Sequence, residues 1–155
     1  MGTPTALADD ADTAMTTLTK HADARFLHSE ITDRIIAGFY DTYDELGYGF
    51  LESNYANGLG LLLREAGLAL EREVPVEVQL RGTPIGLYRL DMIVERRVVV
   101  EIKASKAIGL ADERQIQNYL RATNLEVGLL LHFGPCPAVR RFVFENTRKP
   151  QTRIR

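Results

Sequence analysis

The chain lacks most of the features that give a function away at once. Its 155 residues include a single cysteine, Cys136, which excludes an internal disulfide framework, an iron–sulfur cluster and a cysteine-rich zinc site. One thiol also makes a reducing, cytoplasmic setting the simplest expectation. No apolar run approaches the roughly 18–20 residues that span a bilayer, so no membrane partner is expected. The first residues, MGTPTALADDADTAMTT, have neither the basic nor the apolar region of a secretory leader. There is no internal repeat, and the formal net charge is only −2, which does not advertise nucleic-acid binding. The charge is uneven, however. Residues 1–60 carry ten acidic and three basic side chains, whereas residues 61–155 carry eleven and sixteen. The closing stretch VRRFVFENTRKPQTRIR is the basic extreme. It reads as a solvated terminus or as a phosphate-contacting patch, and charge alone does not choose.

What the chain does contain is globular. With 45% hydrophobic and 26% charged residues, it can bury one core of ordinary domain size. Residues 1–28 have little apolar periodicity and read as a flexible extension. Residues 29–146 read as the folded domain and 147–155 as a basic tail. Ser29 is a plausible N-cap, and Ile31, Ile35, Ile36, Phe39, Tyr43 and Leu46 recur at helical spacing. A second helix is expected at about 51–66, with Gly58 and Gly60 loosening or bending its middle and Gly67 closing it. The period then shortens to two. EREVPVEVQL reads as a strand at a sheet edge or bulge because of Pro75, Gly82 to Gly86 as a turn, and GLYRLDMIV and RVVVEIKA as two further strands. ADERQIQNYLRATN reads as a helix, VGLLLHF as an interior strand and VRRFVFEN as a short last one. The order is that of an α/β domain, with a mixed sheet flanked by helices on both sides.

RVVVEIKAS is the anomalous stretch, because Glu101 and Lys103 interrupt a strand otherwise fit for a core. Alternation puts Val98, Val100 and Ile102 on one face and Val99, Glu101 and Lys103 on the other. In the preceding strand Leu90, Met92 and Val94 form the expected apolar row, opposite Arg89, Asp91 and Ile93. A hairpin with a three-residue tip at 95–97 sets Asp91 across from Glu101, whereas a two-residue tip sends them to opposite faces. Matching the apolar rows favours the first register, although Arg96 is a poor residue for the tip. Two carboxylates side by side are what a divalent cation such as Mg²⁺ asks for, and a nearby ammonium can neutralise charge developing on a phosphate. A salt-bridged strand rim, with Lys103 paired to Glu101 or Asp91, accounts for the same residues.

Asp91 followed by Glu101-Ile102-Lys103 resembles the D…(D/E)xK signature of the PD-(D/E)XK nuclease superfamily, with Leu90 in place of the proline. Upstream, Gly49-x-x-Glu52-x-x-Tyr55 is similar to the motif that names the GxxExxY proteins, a small prokaryotic branch. The similarity extends over roughly residues 30–145. It implies a restriction-endonuclease-like core and an endo- or exonuclease that uses Mg²⁺, or Mn²⁺, to hydrolyse phosphodiester bonds in nucleic acid, with DNA the expected partner. Asp91 and Glu101 would then be metal ligands, joined by Glu52 from its helix, and Lys103 the catalytic lysine. Gln115 and Tyr119 match the Q-x-x-x-Y element on the following helix, and their i, i+4 spacing puts both on one stripe. The alternative is a nuclease fold kept as a catalytically silent binding or regulatory module, and a homodimer is left open. Tyr55 also reads as a core aromatic with a satisfied hydroxyl, His132 as a polar strand end and Cys136 as incidental.

Overall fold

The computed structural model describes residues 26–149, so the tail beyond 149 and most of the expected N-terminal extension lie outside the described residues. The element order is α1 (Ser29–Leu46), α2 (Glu52–Glu65), β1 (Leu70–Leu80), β2 (Thr83–Val94), β3 (Val98–Lys103), α3 (Leu110–Ala122), β4 (Val127–His132), β5 (Ala138–Val143) and a 3₁₀ turn at Asn146–Arg148. The five strands lie in chain order. All neighbours are antiparallel except β3 and β4, which run parallel and are joined by the crossover helix α3. α1 and α2 cover one face through Ile35, Phe39, Leu59 and Leu63, which pack with Met92, Val100, Ile102 and Leu131. α3 covers the other with Ile116, Tyr119 and Leu120, which pack on Val99 and Leu130. Every residue of β4 is buried, as its unbroken apolar run requires.

The hairpin between β2 and β3 takes the register that alternation favours. Met92 pairs Val100, Ile93 pairs Val99 and Val94 pairs Val98, leaving Glu95, Arg96 and Arg97 as the tip. Glu95 and Arg96 both adopt left-handed backbone, at φ 52° and 54°. The Glu95 carboxylate compensates by accepting the Ala69 N–H at 2.7 Å.

Four expectations need correcting. Leu90 does not share a face with Met92 and Val94; it packs in the α3-side cluster with Val76 and Tyr119. The rows change faces where Glu73 sits at φ 50° and the ladder omits the Glu73–Asp91 pair. Second, the turn after β1 is not Gly82 to Gly86. Arg81 and Gly82 both have positive φ, a tight two-residue connection that lets β2 start at Thr83. Third, α2 is unbroken through Gly58 and Gly60. A Cβ on Gly58 would sit 3.3 Å from Thr42 of α1, and one on Gly38 2.9 Å from Leu63, so small residues let the two helices approach. Finally, the residue capping α1 is His28, in left-handed conformation, and not Ser29. Pro75 fits its place, since β1 is an edge strand.

Candidate active site

The site is built where β2 and β3 part. Their ladder stops at Met92 and Val100, because β2 continues with β1 into a long hairpin while β3 runs on beside β4 as far as Lys103 and His132. The Ile102 N–H would be left without a strand partner, and Asp91 Oδ2 accepts it at 2.8 Å. Asp91 is thereby held against Glu101. Glu101 is only 3% exposed, and its Oε1 is buried without a hydrogen-bond partner. Burial first, and then the charge and hydrogen bonding of Asp91, push the Glu101 carboxyl up to about 9, with Lys103 partly opposing the shift. At neutral pH the Glu101 carboxyl therefore holds a proton, as a buried carboxyl beside a second one does.

Lys103, the last residue of β3, points to the α3 side. Its Nζ donates to Gln115 Oε1 at 3.2 Å and lies 3.6 Å from Asp112 Oδ1. Gln115 in turn donates from Nε2 to the Tyr119 hydroxyl at 2.6 Å. Burial raises the Tyr119 phenol, and the charges of Glu101 and Asp91 raise it further against the pull of Gln115. Asp112 was not among the residues singled out from sequence. Its Oδ2 also accepts the Gly109 N–H at 2.9 Å, closing the first turn of α3. An acid three residues into a helix was the available signal, but capping alone does not reveal a second duty toward a lysine nine residues earlier.

Glu52 arrives from the other helical layer, as the first residue of α2. Its Oε1 accepts the Ala104 N–H at 3.3 Å, just past Lys103. The approach is set by Tyr55, which is fully buried and stacked on Phe133 at 4.2 Å. The Tyr55 hydroxyl donates to Gly47 O at 2.5 Å and accepts from Phe50 N at 3.2 Å. That ties down the loop in which Gly49 takes φ 114°. Gly49, Glu52 and Tyr55 thus form one loop-to-helix device, with Tyr55 in the structural part. His132 closes the strand end by bonding Ser105 O at 2.7 Å.

Asp91, Glu101, Lys103, Gln115 and Tyr119 are therefore one connected cluster, with Glu52 beside it on the neighbouring backbone. No group of three or more His, Cys, Asp or Glu forms a ready cation cage among the described residues. A pair is nonetheless enough for Mg²⁺, which keeps several waters and is held by one or two carboxylates. The orphaned Glu101 oxygen beside a second carboxyl fits such an ion, since a bound cation would relieve both the missing partner and the repulsion.

A model of the PD-(D/E)XK nuclease superfamily matches residues 29–142, a span that contains the whole cluster. Among curated proteins none matches the chain. A solved structure described as "Crystal structure of SSO0001" is similar at 26% identity with a TM-score of 0.47; the match covers 78% of this chain and 60% of that one. No helix among the described residues is long and apolar enough to cross a membrane.

Proposed function

Because the chain belongs to the PD-(D/E)XK nuclease superfamily, we propose that it hydrolyses phosphodiester bonds in nucleic acid, with DNA as substrate and Mg²⁺ or Mn²⁺ as cofactor. The GxxExxY branch is the finer placement we propose, on Gly49, Glu52 and Tyr55. The carrying observation is the buried, partnerless Glu101 oxygen beside Asp91, on the same strand end as a tethered Lys103. Asp91 and Glu101 are the residues that would hold the cation, and Glu52, from the first turn of α2, would orient water at its edge. A bound divalent ion supplies Lewis-acid polarisation of the phosphoryl oxygen and a lowered pKa for water.

The remaining roles belong to the chain's own groups. Asp112 and Gln115 hold the Lys103 ammonium in place, so that it meets the charge that develops on the phosphate without first reorganising. Gln115 is itself oriented by Tyr119, so that row positions the lysine. Incubation of labelled single- and double-stranded DNA and RNA with Mg²⁺ or Mn²⁺ tests the reading. Metal-dependent cleavage that Lys103→Ala lowers at least a hundredfold is expected. Absence of cleavage on every substrate overturns it. If nucleic acid is bound but never cut, and Asp91→Ala and Lys103→Ala bind equally well, the fold serves as a silent binding module.

A further inference from the structure

Beside the catalytic row lies a cavity of about 380 Å³ lined by Tyr88, Ala111, Arg114, Gln115, Asn118 and Tyr119. It opens between the β1–β2 hairpin and α3. We propose that it is a cradle for one unpaired nucleotide of the substrate strand, with the base stacked on Tyr88 and Arg114 and Asn118 reading its edge and phosphate. The proposal rests on the nuclease reading and deepens it, by assigning a substrate class: single-stranded or locally unpaired nucleic acid.

Three observations carry it. The volume, about 380 Å³, sits at the low end of small-ligand sites and has room for a single base. The lining is chemically apt. Tyr88 is 45% exposed, and its ring meets Tyr119 edge-on at 5.3 Å. Stacking on such a ring tolerates any base. Arg114 and Asn118 stand one helical turn apart on α3, both exposed. No ion pair or hydrogen bond occupies either side chain among the described residues, so a planar guanidinium and an amide remain available for a phosphate or a base edge. Gln115 and Tyr119, by contrast, are committed to each other and to Lys103.

The third observation is continuity. The same Gln115 and Tyr119 form the wall between the cavity and Lys103, and Tyr88 precedes Asp91 by three positions on β2, about 10 Å along a strand. A base held at Tyr88 therefore leaves its adjoining phosphodiester on the side of the carboxylate pair. Tyr88 lies on the part of β2 that stays paired with β1 after β2 leaves β3, so cradle and carboxylate pair adjoin the same divergence.

The test uses the full-length protein without divalent ions and a short DNA strand carrying one 2-aminopurine. Binding to the wild type should quench the fluorophore. Tyr88→Ala should abolish the quench and weaken binding about tenfold, while Tyr88→Phe, which keeps the ring, should retain both. Arg114→Ala, an exposed site that does not threaten folding, should weaken binding and lower the salt slope by about one. If Tyr88→Ala and Arg114→Ala bind and quench like wild type while the wild type cuts DNA with Mg²⁺, the cradle is wrong and the nuclease reading stands. If the wild type neither binds nor cuts any strand, both fall.

Discussion

Glu101 is the residue on which the account turns, because its burial has opposite consequences for folding and for function. Its folded-state value of about 9 lies above the ordinary 4.5, so between those values the folded chain holds a proton that the unfolded chain has released. Stability must then fall as pH rises through that window. In EDTA, denaturant titrations from pH 5 to 9 should show wild type losing a few kcal/mol relative to Glu101→Gln, whose neutral amide has nothing to ionise. Parallel curves would remove the dry-carboxyl explanation. Asp112 makes a second prediction at this scale. Asp112→Asn keeps a side-chain oxygen for the Gly109 N–H but discharges the partner 3.6 Å from Lys103. Folding should change by less than about 1 kcal/mol, while cleavage should drop roughly tenfold as the lysine loses its anchor. An equal loss of stability and activity would reduce Asp112 to a cap.

At the level of elements, local compromises hold the site in place. The β2–β3 tip fixes the register with two left-handed, non-glycine residues, each of which costs about 1 kcal/mol. The Arg96–Glu71 ion pair at 3.5 Å is exposed and offsets little of that. Arg96→Gly should therefore raise the melting temperature by a few degrees without disturbing the pairing. A lower melting temperature would mean that the arginine matters for another reason. The loop before α2 depends on one hydroxyl. Tyr55→Phe keeps the stack on Phe133 but strands Gly47 O and Phe50 N; it should cost about 1–2 kcal/mol and speed amide exchange in residues 47–52. Unchanged exchange there would show that the loop holds itself.

Across the whole molecule, the parts legible in the sequence are those governed by a repeating period. The α/β order, the interior β4 and the choice of register all followed from apolar rows that had to meet one core. The reading failed where geometry departs from a period. Nothing in Glu73 announces a left-handed residue, so the change of face that sends Leu90 to the α3 side was hidden. Gly58 looked like a helix defect because the helix it packs against is 16 residues upstream, at Thr42. Asp91 and Glu101 could be paired from register alone, but the burial of Glu101 depends on α3 and on the departing hairpin, which no local pattern encodes. Tyr88 and Arg114, 26 positions apart, become neighbours only through that same arrangement. The central claim is that the Asp91–Glu101 pair is a cation site, and calorimetric titration with Mn²⁺ in two buffers of different ionisation enthalpy tests it most directly. One ion should bind with release of about one proton at pH 7, and both signals should vanish in Glu101→Gln. Binding that ignores this substitution, or no binding at all, would contradict it.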